Sequence, residues 1–264
     1  MTKALLRILM FCDNHRDFQN RSCLAYFLSK CNNLLYNSYF KKYSLIFAAI
    51  MDTSLKNKFD SIIFDLDGTL WDSTANVALA WQNAIAKVDY LNEEMTVERV
   101  RSITGMTYDS IFDKLFPTLT IDQRKEVQKL CAISELEILH TKGGELYPQL
   151  EETLKYLGTK YKLYIVSNCQ NGYIEVFLDL NNMHPYFLAH QCFGTKGNPK
   201  ADNIKDIVND HELKAAVYVG DTMGDYNAAT QAGVPFIFAS YGFGVVPDGM
   251  AATADSFSSL VELL

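Results

Sequence analysis

The sequence predicts an α/β fold: a doubly wound parallel sheet with helices on both faces, interrupted by an inserted block of helices. Three observations carry this. Apolar, β-branched runs alternate with helical-period stretches from Phe59 to the C-terminus, the pattern of successive βαβ units. The runs ending at Phe64, Ser167 and Gly220 each deliver acidic or small polar residues to a strand end, where open α/β sheets bind their ligands. Residues from about 75 to 143 carry helical periodicity and no strong strand candidate, so they read as an insertion.

In chain order, residues 1–50 differ from the remainder of the sequence. They hold seven Lys or Arg against Asp13 and Asp17, a net charge of +5 in a chain of −7, and half of the six cysteines (Cys12, Cys23, Cys31). The apolar run near Leu5 is cut by Arg7, and the run from Tyr43 to Met51 is short and late, so neither makes a signal peptide or reaches the ~20 residues of a membrane span. A basic, acid-poor composition also suits an organelle-targeting leader. Our expectation is that residues 1–50 are an extension outside the fold and that Met51 is the natural start. Ile62-Ile63-Phe64 is the first strand, followed by a helix from about Ala75 to Val88 and three further periodic stretches. The last of these opens on Thr120-Ile121-Asp122-Gln123, a capping box, and runs on with Val127, Leu130, Cys131 and Ile138 at helical spacing. Gly143-Gly144 reads as a hinge back to the core, a plain helix stop being the alternative. A helix near Glu151–Leu157 closes at Gly158, and strands then end at Ser167, Gly220 and Ser240. The expected division is therefore a core of 51–74 and 144–264, with a helical insertion at 75–143.

The candidate site residues stand at the strand ends. In Phe64-Asp65-Leu66-Asp67-Gly68-Thr69-Leu70 two carboxylates at i and i+2 leave a buried strand and enter a glycine turn. Like charges held so close resist joint ionisation unless a metal or a shared proton intervenes. Leu163-Tyr164-Ile165-Val166 delivers Ser167, a donor for a phosphate oxygen, and Asn168, able to orient the phosphate or a leaving group; a Ser-Asn turn or helix N-cap is the alternative. Lys200 opens a helix after Gly197-Asn198-Pro199, where a cation opposes the helix dipole unless an anion lies close; Lys196 competes for that task. Val217-Tyr218-Val219-Gly220 leads into Asp221 and Asp225, hard oxygen ligands of the kind that suit Mg²⁺ beside a substrate phosphate.

This ordered set, D-x-D-G-T, S-N, K and G-D-x-x-x-D, resembles the haloacid dehalogenase superfamily, and Asp65-Leu66-Asp67-Gly68-Thr69-Leu70 looks like a phosphoglycolate-phosphatase-type member. The resemblance covers about residue 59 to the C-terminus. It implies a Rossmann-like core and a helical cap that closes over the site and chooses the substrate. It implies Asp65 as the nucleophile, taking the phosphoryl group as an aspartyl-phosphate and ligating Mg²⁺. Asp67 is then the acid for the leaving oxygen and afterwards the base for water, its backbone carbonyl touching the metal. Thr69 supports Asp67 and the turn and stands with the phosphate-binding set; Ser167 and Lys200 hold the phosphoryl oxygens. Asp221 is a direct metal ligand and Asp225 acts through water or through Lys200. An acid two residues after the nucleophile favours phosphate esters over dehalogenation, because a leaving alkoxide needs a proton and a leaving halide does not.

The function expected is thus a Mg²⁺-dependent phosphatase of a small phosphorylated metabolite. A phosphomutase of sugar phosphates on the same scaffold is the near alternative, and a non-catalytic phosphate-binding or signalling module is the alternative of another class. Phosphoglycolate, nucleoside monophosphates, sugar phosphates and pyrophosphate all fit this core. Thr104-Gly105-Met106-Thr107-Tyr108 is the one stretch of the insertion singled out as a substrate-side loop, an ordinary inter-helix loop being its alternative. A phosphonate hydrolase would need a Schiff-base lysine, and nothing around Lys87 or Lys114 marks one. The net charge of −7 and pI near 5.2 argue against a nucleic-acid surface, and no membrane partner is expected. Six cysteines without a C-x-x-C pair suit reduced thiols in the cytoplasm, with Cys169 a small apolar filler.

Overall fold

A computed structural model describes residues 55–264; the expectations for residues 1–50 and for Met51 lie outside the described residues. The strands are β1 (Ser61–Phe64), β2 (Trp71–Asp72), β3 (Glu145–Leu146), β4 (Lys162–Ser167), β5 (Ala189–Cys192), β6 (Ala216–Gly220), β7 (Phe236–Ala239) and β8 (Ala252–Ala254). The helices are α1 (Thr74–Ile85), α2 (Val97–Arg101), α3 (Tyr108–Leu115), α4 (Ile121–Lys142), α5 (Leu150–Leu157), α6 (Tyr173–Leu180), α7 (Phe193–Lys196), α8 (Lys200–Asp210), α9 (Met223–Ala232) and α10 (Leu260–Leu263).

Six strands form one parallel sheet in the order β5-β4-β1-β6-β7-β8. All four residues of β1 are buried, as a strand covered on both faces requires. Successive side chains of a strand point to opposite faces, and the cores divide accordingly. Ile62 and Phe64 join the apolar layer holding Leu154 of α5 and Phe177 of α6, while Ile63 joins Ile204 of α8 and Ala229 of α9. Burying each such aliphatic side chain is worth roughly 1.5–3 kcal/mol. The chain crosses from β1 to β4 on one side and lies against β6 on the other, so β1 is a switch point in strand order, the crevice position for a ligand.

Between β2 and β3 lie α1 to α4, and the two short strands pair antiparallel, Trp71 with Leu146 and Asp72 with Glu145. The helical block therefore leaves and re-enters the core through one small ribbon, which the sequence did not signal because neither strand has enough residues to alternate. Gly143 ends α4 at φ +65°, and a β-carbon on Gly144 would stand 2.9 Å from Trp71 Cε3. The capping box at Thr120 and Gln123 forms. The face of α4 that carries Val127 and Cys131 packs inward. Trp81, Tyr108, Phe112 and Phe116 join through edge-to-face and tilted contacts with centroids 5.3–6.1 Å apart, a stabilising arrangement for aromatic pairs.

Candidate active site

The register of the sheet builds the site. Phe64 pairs with Ile165 on one side and Val219 on the other, so the residues at the ends of these three strands emerge together at one edge. Asp65 continues β1, its amide N–H donating to Val219 O at 2.9 Å; Ser167 ends β4; Asp221 comes directly after Gly220 at the end of β6. Gly68 turns the chain back at φ +84°, and a β-carbon there would stand 2.3 Å from Asp221 Oδ2. Only glycine tolerates both the left-handed backbone and that approach.

Asp65, Asp221 and Asp225 are buried and offer carboxylate oxygens that all lie within 4.8 Å of one another. Lys200, the first residue of α8 and also buried, donates to Asp65 Oδ1 at 2.8 Å and to Asp225 Oδ1 at 2.5 Å. Its charge is therefore explained by the anions at the helix start, whereas Lys196 pairs with Asp206 at the surface. Asp225 is further held by Tyr218 Oη at 3.3 Å, Thr222 N at 3.0 Å and Thr222 Oγ1 at 2.6 Å. Asp221 Oδ2 accepts Phe243 N at 2.8 Å, and Thr69 Oγ1 lies 3.5 Å from Asp221 Oδ1. Thr69 thus faces the acidic cluster and does not line the neighbouring cavity under the helical block.

Three buried carboxylates against one ammonium leave the cluster short of positive charge. Burial and the Asp225 carboxylate push Asp65 up to about 7 against the opposing pull of Lys200. Burial likewise drives Asp221 well above the usual carboxylate range. A set of hard oxygen donors with unbalanced negative charge fits a divalent cation.

Asp67 is set apart from this cluster. Its Oδ1 accepts Trp71 Nε1 at 2.9 Å, and Ser73 Oγ and Tyr173 Oη stand 2.7 and 2.9 Å away, the two hydroxyls themselves 2.8 Å apart. Burial raises its carboxyl, and these neutral donors hold the rise back. A carboxyl whose hold on its proton is strengthened by burial is what a proton donor needs.

A cavity of about 70 Å³ adjoins Asp65, Asp67 and Ser167 and is roofed by the helical block. Asn168 lines it, donating Nδ2 to Gly105 O at 2.8 Å while its Oδ1 is buried without a partner. Thr104, Gly105, Met106 and Tyr108, from the stretch singled out in the sequence, line it too. Cys169 also reaches it, its thiol pushed up by burial. Glu135 of α4 was missed. It is buried, takes Trp81 Nε1 at 2.5 Å and Tyr108 Oη at 3.3 Å on Oε2, and takes Gln170 Nε2 at 3.0 Å on Oε1. Its position four residues after Cys131, on the inward stripe of α4, was a readable signal: a carboxylate at a core position of an amphipathic helix demands a reason.

Fold and site together define a doubly wound α/β enzyme with a carboxylate-rich centre under a helical cap. A sequence model of the haloacid dehalogenase-like hydrolases matches residues 62–239, and the chain belongs to that family. A phosphoglycolate phosphatase of Aquifex aeolicus is 29% identical over 212 residues, 77% of this chain and 95% of the relative. One of Vibrio parahaemolyticus is 29% identical over 220 residues, with the same coverage of 77% and 95%. Among solved structures, a haloacid dehalogenase-like hydrolase of Streptococcus pneumoniae superposes with a TM-score of 0.69 at 23% identity, over 78% of this chain and 98% of that one. The expectation of a phosphoglycolate-phosphatase-like phosphoric monoester hydrolase agrees with these relatives. Among the described residues no helix is long and apolar enough to cross a membrane.

Proposed function

We propose that the protein is a Mg²⁺-dependent phosphatase that hydrolyses a small phosphate monoester through an aspartyl-phosphate on Asp65. The observation that carries this reading is the contrast between two carboxylates two residues apart: Asp65 faces Lys200 and the acidic cluster, while Asp67 faces only neutral donors. That contrast separates a nucleophile from an acid. Asp65 and Asp221, with the Asp67 backbone carbonyl, would hold the metal, which would supply positive charge to keep Asp65 ionised and to offset charge on the phosphoryl oxygens. Asp225 acts through Lys200, which it fixes at 2.5 Å.

In the first step an Asp65 carboxylate oxygen attacks phosphorus, the ester P–O bond breaks and Asp67 protonates the departing alcohol oxygen. In the second, Asp67 takes a proton from water, which attacks the same phosphorus and frees Asp65. Ser167 and Lys200 neutralise phosphoryl oxygens in both, and Asn168 orients the ester. Splitting the displacement in two lowers each barrier, and fixed donors supply most of the remaining stabilisation. Residues 75–143 serve as the cap over a core of the remaining described residues. We place the enzyme in the cytoplasm, with a phosphorylated metabolite as its partner. The names of the relatives put phosphoglycolate among the first esters to assay.

The test is phosphate release from a panel of monoesters with Mg²⁺ and with EDTA, combined with mass spectrometry of quenched protein. Metal-dependent release with phosphoryl mass on the peptide containing Asp65 is the expected result. Isomerisation of a sugar phosphate without release would install the mutase reading in its place.

A further inference from the structure

The wall of the cavity that faces the leaving group carries acceptors and no cation. Its charged residues are Asp65, Asp67 and Glu135; Lys, Arg and His are absent from its lining. Two basic groups of the cap, Arg101 and Lys114, are held by other partners. Arg101 pairs with Asp72 at 2.7 Å and lies over Phe243, and exposed Lys114 donates to Ser102 O at 3.2 Å and stands 3.8 Å from Met106 Sδ without itself lining the cavity. The remaining lining on the cap side is mostly apolar or aromatic, with Val77, Trp81, Ile103 and Met106 prominent and Thr104 a polar exception.

Two acceptors in that wall have capacity to spare. A carboxylate offers about four acceptor sites, and protein donors from Trp81, Tyr108 and Gln170 fill three on Glu135. Asn168 Oδ1 is buried and unpartnered, while its Nδ2 donates to Gly105 O. A buried acceptor without a donor is costly, and both acceptors border the same space as the nucleophile.

We propose that the substrate's leaving group is a compact, uncharged or cationic alcohol that donates hydrogen bonds to Glu135 and Asn168, and that Glu135 rejects leaving groups bearing a carboxylate. This rests on the phosphatase reading and narrows it. An acid such as glycolate would bring a second anion into a space already bordered by carboxylates, with no cation to receive it. Burial pushes Glu135 up to about 7, so above that pH an incoming anion meets a like charge there. A site built to accept hydrogen bonds discriminates strongly against a ligand that cannot donate them.

The experiment compares kcat/KM of the full chain, with Mg²⁺, on three esters of matched size: phosphoglycolate, hydroxyethyl phosphate and phosphoethanolamine. Nitrophenyl phosphate reports the chemistry itself. The expected result is a preference of about tenfold or more for the hydroxyl and amine esters over phosphoglycolate. In Glu135→Gln that preference falls by about fivefold or more, chiefly through KM. Ratios taken within one protein cancel any loss of active fraction, and the wild-type ratio decides even if the variant does not fold. Equal or better turnover of phosphoglycolate by the wild type, or an unchanged ratio in a folded Glu135→Gln, overturns the inference and leaves the phosphatase reading standing. No turnover of any ester, nitrophenyl phosphate included, overturns that reading and the inference with it.

Discussion

Asp65 and Asp67 share a turn, yet their surroundings differ in kind, and the consequences of changing them differ too. Asp65→Asn keeps the shape of the side chain and removes one of three clustered like charges. Turnover should fall by about 10⁴-fold or more, with a thermal midpoint no lower than that of the wild type; activity above background in that variant would remove Asp65 as nucleophile. Asp67→Asn should slow both steps, by roughly 10²- to 10⁴-fold, and an unaffected rate would end its acid–base role. Both residues were legible in the sequence because they come directly after an apolar strand. The groups that tune Asp67 were not. Ser73 stands at the N-cap position of α1, where a cap is the natural reading, yet it makes no cap bond and lies against Asp67 instead. Tyr173 comes from 106 residues away in the chain, a distance no local pattern spans. Glu135 carries a separate prediction at this scale. Its folded carboxyl binds a proton up to about 7, well above the unfolded range near 4.5. The native state therefore holds a proton that the unfolded chain releases, and its stability contribution, full below that range, is lost as pH rises through 7. Urea unfolding at pH 5 and pH 8 should show Glu135→Gln losing less stability than the wild type, by on the order of 2–4 kcal/mol; parallel losses would place the Glu135 carboxyl near its ordinary range.

Among the elements, the three strands that build the site, β1, β4 and β6, were readable together with β7, and the other strands were not. β1, β4, β6 and β7 are apolar and buried nearly throughout, so composition and length mark them without alternation. β5 reads Ala-His-Gln-Cys and β8 Ala-Thr-Ala, edge strands whose pairing is decided by the neighbour they meet. The cap was legible as helices, while its fastening to the core was not. Arg101 at the end of α2 donates to Asp72 Oδ2 in β2 at 2.7 Å and lies 5.5 Å over the Phe243 ring. Phe243 is the residue whose N–H holds Asp221, so one side chain of the cap touches both the ribbon and the loop behind the acidic cluster. The pair is partly exposed, and its worth to global stability is about 1 kcal/mol or less. Its weight falls on closure. Arg101→Ala should raise KM by about three- to tenfold, with a smaller fall in kcat and little change in thermal midpoint; unchanged KM would show that the cap closes without this contact.

At the level of the whole molecule, the fold places buried like charges at the switch point of its sheet, and its stability should depend on what neutralises them. Lys200 balances one of the three carboxylates by charge. The other two depend on retained protons or on a bound cation, consistent with the upward shifts of Asp65 and Asp221. A cation that binds only the folded state stabilises it by mass action, about 2.7 kcal/mol at one hundred times its dissociation constant. For a chain of this size each kcal/mol moves the midpoint by ~2–4 °C, so saturating Mg²⁺ should raise the melting temperature of EDTA-treated protein by about 5–10 °C. Asp221→Asn removes a ligand and a repulsive charge together. That variant should melt at or above the metal-free wild type and gain little from Mg²⁺, while losing turnover. The two halves of this prediction separate a metal centre from a merely acidic pocket. Loss of the Mg²⁺ shift along with activity places the cation at the cluster of Asp65, Asp221 and Asp225; an equal shift in wild type and Asp221→Asn places its binding elsewhere on an acidic surface, and the charge deficit at the centre of the sheet would then have to be met by protons alone.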